Sequence, residues 1–280
     1  MRSIQDRVIR KLVSKARSIA RRAGRRFVKA GHGGEGAHIW WLDYEETIYR
    51  TMEHQYWEDK ANVIPIGNYF EFGLLRGDSF LRCYRTLTAL AKHLGYPGVK
   101  ELGVRLYGFD SFEGLPEPGE SDHRVGWQQG AMACGRDKFV SNMDREGVPR
   151  EIYQLVDRFY ETSLTAELRN SLEDHKPSLV MMDCDFYSST KTVLEWIRPL
   201  LRDNTFFMFD DIWAFAGHPD FGELRAIREF NATGPGLLVP HYFGGATQQV
   251  YVFTTGLQGA TYKQWLDSRP NAVSGGVLTA

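Results

Sequence analysis

From residue 66 onward the chain alternates strand-like and helix-like patterns, and that alternation admits few folds. Strand-length apolar runs rich in aromatic and β-branched residues occupy 68–72, 105–110, 152–159, 178–183, 205–210, 237–242 and 249–254. Helical spacing fills most of the gaps, at 79–94, 136–143, 164–173, 188–201 and 221–230. Strands alternating with helices build a parallel sheet covered on both faces, because each parallel pair needs a long crossover. The last two runs are joined only by a short segment containing Gly244 and Gly245, which predicts an antiparallel pair. The expected architecture is therefore α/β and Rossmann-like: a seven-stranded, mostly parallel sheet with an antiparallel last pair.

Composition limits what such a chain does. Its 280 residues suit one sizeable domain with decoration, and no run approaches the ~20 apolar residues of a membrane span. The net charge of −1 conceals an asymmetry: residues 1–30 hold eleven Lys or Arg against one acid, Asp6, so the remainder carries −11. An acidic body excludes nucleic acid as the main partner, since phosphate neutralisation needs a basic face. Cys83, Cys134 and Cys184 show no metal or disulfide spacing and read as reduced thiols of a cytoplasmic protein.

The division expected is 1–36, a basic amphipathic helix with a Gly-rich joint; 37–65, an aromatic helical segment that lids or packs on the body; and 66–280, the main domain. Ile4, Val8, Leu12, Ala16 and Ile19 form one stripe of the first helix. Peripheral membrane association, docking on a protein partner, a transit peptide and a solvated tail all accommodate it. A homo-oligomer is also open.

Three motifs carry chemistry. In Tyr69-Phe70-Glu71-Phe72-Gly73-Leu74-Leu75-Arg76-Gly77-Asp78-Ser79, two glycines allow a sharp turn and close approach to a ligand. Glu71 at the strand end suits the ammonium of a methionine-like moiety. The full GxGxxG is absent, so S-adenosylmethionine fits better than a dinucleotide. In Tyr107-Gly108-Phe109-Asp110-Ser111-Phe112-Glu113-Gly114, Asp110 occupies the strand-end position of an acid that accepts from a ribose diol; a turn or N-cap aspartate is the plainer reading. In the third motif, Met182-Asp183-Cys184-Asp185 ends one strand and Phe209-Asp210-Asp211 ends the next. Neighbouring strand ends in an open sheet converge on the ligand crevice, where three carboxylates repel unless a cation joins them. Hard oxygen ligands favour Mg²⁺; solvated helix-capping aspartates are the alternative.

The phrases EFGLLRGDS, YGFDSFEGLPEP and DCDFYSSTKTVLEWIRPLL…FFMFDDI resemble those of the macrocin and mycinamicin sugar O-methyltransferases, over roughly residues 66–255. The resemblance implies magnesium-dependent, S-adenosylmethionine-dependent methylation of a hydroxyl on a sugar-bearing or polyoxygenated small molecule. It implies metal ligands at Asp183, Asp210 and Asp211, and contacts to the methionine end of the cofactor from Glu71, Gly73 and Ser79. Asp110 would take the ribose, with Asp185 and Tyr187 lining the same crevice. Gly77, Ser111 and Asp183 complete the expected cofactor set.

One departure is Asp157-Arg158-Phe159-Tyr160-Glu161-Thr162, where Asp157 stands at the family's glycine and puts cofactor contacts there in doubt. Catalysis is assigned to Asp183 with His218 as general base, His123 and His241 being rivals. The segment 119–149, with Trp127, Gln128, Gln129 and Arg136, reads as a lid or substrate wall, and Trp40, Trp41 and Tyr44 as its counterpart. Two other functions remain open at this level: methylation of a carboxylate or phenol, and a non-catalytic nucleotide-binding subunit docked through its basic helix.

Overall fold

The computed structural model describes residues 37–62, 64–243 and 248–256. The basic helix expected over 1–30, its Gly-rich joint, the Gly244–Gly245 connection and the side chains of Trp40 and Trp41 lie outside the described residues. Among the described residues, no helix is long and apolar enough to cross a membrane.

Seven strands form one sheet in the order β3-β2-β1-β4-β5-β7-β6. They are β1 (Asn68–Phe72), β2 (Leu106–Asp110), β3 (Tyr153–Asp157), β4 (Pro177–Met182), β5 (Phe206–Phe209), β6 (Leu237–Phe243) and β7 (Gln249–Thr254). The first five pair in parallel, whereas β7 is antiparallel to both β5 and β6. The antiparallel last pair expected from the sequence is present. The chain order reverses between β1 and β4, and in open α/β sheets such a switch point opens a crevice beyond the strand ends.

Side chains alternate along each strand between two cores. Tyr69, Leu106, Leu179, Met181 and Met208 face the side covered by α1 (Ala37–Ala61), α2 (Asp78–His93) and α3 (Arg136–Arg145). Phe70, Phe72, Val180, Met182 and Phe209 face the side of α4 (Ala166–Ser171), α5 (Tyr187–Ile197) and α6 (Gly222–Thr233). Central β1 is buried at every position; Tyr69, Phe70 and Phe72 fill both cores, while Asn68 and Glu71 are buried polar residues. In α2, Phe80, Cys83, Leu87, Leu90 and Ala91 repeat at helical spacing and make the stripe that meets the sheet.

Residues 37–61 take the packing role. Tyr44, Ile48, Met52 and Tyr56, four positions apart, are buried in the same core as α2. Each contributes about 1.5–3 kcal/mol by leaving water, while the part-exposed Arg82–Glu45 pair contributes about 0–1 kcal/mol. Apolar burial, not charge, therefore attaches α1. Its C-terminal end is pinned by buried Asp59, which accepts from Gln55 and, at 2.6 Å, from Arg202.

Candidate active site

The sheet ladder runs one residue beyond the parallel strands. The Gly73 N–H donates to Phe109 O and Asp183 N–H to Phe72 O, both at 2.9 Å, and Asp210 N–H donates to Met182 O at 3.0 Å. Gly73, Asp183 and Asp210 consequently stand side by side at the switch point. Gly73 has φ +90, and a Cβ built there would lie 1.8 Å from the Asp183 carbonyl oxygen. Only glycine lets these two chains approach so closely.

Beyond this contact the third motif closes into a cluster. Asp183, Asp210 and Asp211 each offer one carboxylate oxygen, all within 4.8 Å of one another. Asp185, in the left-handed region at φ 58, shares a side-chain hydrogen bond with Asp211. Gln248 donates Nε2–H to Asp210 Oδ1 at 2.5 Å, and the Asp211 N–H donates to Glu223 Oε2 at 2.9 Å. Burial, then the neighbouring carboxylates Asp210, Asp211 and Asp185, pushes the Asp183 pKa well above the ordinary range. Burial followed by Asp210 raises Asp185 to about 7, and burial followed by Asp185 and Asp210 raises Asp211 to about 8; Arg124 opposes both shifts. Carboxylates packed this closely are tolerated by sharing protons or by holding a cation.

The donor set suits a hard cation. In an octahedral magnesium site with ligands at about 2.1 Å, opposite oxygens stand about 4.2 Å apart. Adjacent oxygens of such a site stand about 3.0 Å apart, so the carboxylates of Asp183, Asp210 and Asp211, all within 4.8 Å of one another, would draw together by side-chain rotation to hold the ion. Glu223 Oε1 is buried against the same cluster without a hydrogen-bond partner.

An open cleft adjoins these acids and is lined by Gly73, Leu75, Asp110, Met132, Tyr160 and Asp183 among others. Asp110 stands at the end of β2 as expected, and both its oxygens are engaged. Oδ2 accepts from Leu74 N–H at 2.6 Å and Leu75 N–H at 3.2 Å, and Oδ1 accepts from Phe112 N–H at 2.6 Å. It thus fixes the glycine loop while also facing the cleft. Ser111 lines the cleft with its hydroxyl turned to Gly114 O at 2.9 Å. Several of the non-glycine residues at positive φ, Leu75, Met132 and Asp185, lie on the cleft wall, so backbone strain gathers there.

Three expected cofactor residues occupy less direct positions. Glu71 is wholly enclosed beneath the loop, where both oxygens accept hydroxyl protons, from Ser79 and Tyr69. Ser79 in turn stands between Glu71 and the first turn of α2. Gly77, at φ +84, turns the chain into α2, and a Cβ there would lie 2.6 Å from Phe139 and 2.7 Å from Met143 of α3. Its glycine serves helix packing.

Burial pushes the Glu71 pKa from 4.5 up to about 8, against its two hydroxyl hydrogen bonds. With the folded value above the unfolded one, this group's stability contribution is full below about pH 4.5 and is lost as pH rises through about 8. Glu71→Gln, which keeps the shape and both hydroxyl partners, is expected to flatten this slope. Urea midpoints for the two proteins converge near pH 5 and diverge towards pH 8.5, where the variant is more stable by on the order of 2–4 kcal/mol. Parallel curves across that window would show that Glu71 folds in its charged form.

The three histidines considered as bases stand apart from the residues that line the cleft. The His218 side chain is about half exposed, its Nδ1 accepts the Asp220 N–H at 3.2 Å, and its ring meets Phe221 edge-on. His241 stacks on Phe206, and His123 is exposed. None lines the cleft. Between Asp211 and His218 the chain turns, with Ala214 N–H bonded to Asp211 O and the His218 N–H bonded to Phe215 O.

The long loop after β2 does reach the site. Trp127 is buried against Phe186 and Phe215, with the Arg124 guanidinium 4.5 Å above its ring. Buried Asp122 clamps this loop to α5 by accepting from the Ser188 hydroxyl at 2.6 Å and the Ser188 N–H at 3.2 Å. The departure at Asp157 holds an ion pair with Arg136, and the following Phe159, Tyr160 and Glu161 line the cleft. Glu223, Gln248, Arg124 and Asp122 were not foreseen. Glu223 and Gln248 lie well beyond Asp211 in sequence, Asp122 and Arg124 sit in the loop that follows the second motif, and only the folded chain brings them in.

Residues 70–212 match a family described as a methyltransferase domain. The chain belongs to the methyltransferase domain family. That match agrees with the class of domain that the sequence resemblance implied. The chain is 26% identical over 157 residues to the 8-demethyl-8-(2,3-dimethoxy-alpha-L-rhamnosyl)-tetracenomycin-C 4'-O-methyltransferase of Streptomyces olivaceus, covering 54% of each chain. It thus spans about half the length of that relative. Among solved structures, the O-methyltransferase NovP superposes with a TM-score of 0.55 at 19% identity, over 76% of this chain and 80% of NovP. CalS11, a calicheamicin methyltransferase, gives 0.53 at 21% identity, over 84% and 91%. At these identities the two structures establish the shared fold.

Proposed function

We propose that this methyltransferase domain transfers the methyl group of S-adenosylmethionine to a hydroxyl of a sugar-bearing or polyoxygenated small molecule, assisted by Mg²⁺ at Asp183, Asp210 and Asp211. The convergence of those three carboxylates within 4.8 Å, at the end of the cleft where β1 and β4 part, carries the reading. The tetracenomycin relative, whose name specifies a rhamnosyl 4'-O-methylation, supports the acceptor class.

Gly73 and the backbone of Leu74 and Leu75 would pass beneath the methionine end of the cofactor, with Ser79 beside it and Glu71 behind Ser79. Asp110 would meet the ribose with the lone-pair capacity its three amide bonds leave. Magnesium, when bound, lowers the pKa of an acceptor hydroxyl and orients it. Asp185 faces the same cleft and is not one of the three ligands, so it replaces His218 as the group that takes the acceptor's proton. Trp127, Phe186 and Phe215 exclude water from that side.

The test uses labelled S-adenosylmethionine and a panel of sugars, glycosides, phenols and acids. Exhaustive chelation is expected to reduce turnover on a sugar hydroxyl to background, and Mg²⁺ to restore it. Full activity after chelation removes the metal from the reaction; methylation of free acids alone removes the hydroxyl acceptor.

A further inference from the structure

Glu223 stands in the first turn of α6, 1% exposed, and is used by none of the roles above. Its Oε2 accepts the main-chain N–H of Asp211 at 2.9 Å. Its Oε1 is buried with no hydrogen-bond partner, an unusual state for a carboxylate oxygen. The charges that act on it are those of Asp211, Asp210 and Asp183, all of the same sign. Hydrophobic core residues surround the rest of this turn: Ala226, Ile227 and Phe230 are buried on the same helix. A buried acid kept against three others is a costly substitute for an apolar residue, unless its contact with Asp211 matters.

The contact satisfies an N–H that the sheet leaves unpaired, while the Asp211 carbonyl accepts the Ala214 N–H at 2.9 Å. Asp211 is the first residue after the ladder ends, and its N–H has no strand partner, whereas Asp210 N–H still bonds to Met182 O. Glu223 thus holds the N–H side of Asp211, the Ala214 N–H holds its carbonyl, and the side-chain hydrogen bond with Asp185 acts on its carboxylate.

We propose that Glu223 is the positioning residue of the divalent-cation site, holding the Asp211 peptide so that its carboxylate meets those of Asp183 and Asp210. The inference rests on the metal reading under Proposed function. Groups that orient metal ligands from behind typically change affinity by about 10–100-fold when removed.

The test measures Mn²⁺ binding to the full chain by calorimetry and by the electron paramagnetic resonance of free Mn²⁺, without acceptor. Glu223→Met, close in size but with no acceptor, is expected to raise the Mn²⁺ Kd at least tenfold. Glu223→Gln, whose amide oxygen still accepts the Asp211 N–H, is expected to stay within threefold of the natural chain. S-adenosylhomocysteine affinity, a readout that general loosening of the fold would also move, is expected to stay within twofold in both. Should Glu223→Met not fold, Glu223→Ala takes its place in the same comparison. Equal Mn²⁺ affinity in the natural and Met proteins, or a Gln variant as weak as Met, overturns the proposal. Failure of the natural chain itself to bind Mn²⁺ overturns the metal reading and this inference together.

Discussion

Asp183→Asn is expected to lose activity while gaining stability. On the metal reading, replacing one of three carboxylate ligands lowers kcat by on the order of a hundred- to thousandfold, the scale seen when one charge-stabilising group is removed from an active site. After burial, the neighbours Asp210, Asp211 and Asp185 also raise the pKa of Asp183. Without a bound ion, folding the chain at neutral pH brings these like charges together, and the neutral amide relieves that repulsion. A rise in Tm of about 2–6 °C is expected in EDTA, corresponding to about 1–2 kcal/mol in a domain of this size. Saturating Mg²⁺ should raise the Tm of the natural chain by binding to its folded form and leave the variant nearly unmoved. Thermal melts of both proteins, with and without the ion, check all three statements. Equal Mg²⁺ responses would dissociate Asp183 from ion binding.

Gly73→Ala is expected to be the most damaging single methyl group in the fold. An alanine at φ +90 carries the left-handed cost of about 1–2 kcal/mol. Its Cβ would also sit 1.8 Å from a backbone oxygen, a collision that no rotamer change relieves, so β1 and β4 must part at their tips. The sum is about 3–5 kcal/mol, or a fall in Tm of roughly 10 °C. Gly95 provides the control, because it has the same φ of +90 but nothing within 4 Å of a built Cβ. Gly95→Ala should therefore pay only the conformational part. Equal falls in Tm for the two variants would show that the chains at Gly73 separate without strain.

Much of the sheet was legible because its signals are local. Asn68–Phe72 and Gln249–Thr254 match their expected bounds, since each strand is set off by turn residues and by its own apolar run. The expected 152–159 strand proved shorter, ending at Asp157, because Arg158 takes φ 85 and turns the chain into the cleft wall. The three aspartates were legible for a similar reason: strand ends are visible in sequence, and parallel neighbours bring their ends together. Glu223 was not, because an acid in a helix's first turn is ordinary and nothing local reports that α6 begins against Asp211. The Glu71 position was legible but its exposure was not. Tyr69 two residues earlier and Ser79 eight residues later close over it only once α2 has packed.

The reversed direction of β7 has a consequence for how such an enzyme can vary. Parallel strands deliver only the residues that leave them to the working edge of the sheet, and the residues that enter them arrive at the far edge. A six-residue strand separates the two edges by about 20 Å. Because β7 runs the other way, the residue entering it, Gln248, reaches Asp210 across 38 positions of sequence. Position 248, which in a parallel strand would lie at the far edge, thereby becomes a place where the surroundings of Asp210 can change without disturbing any crossover helix.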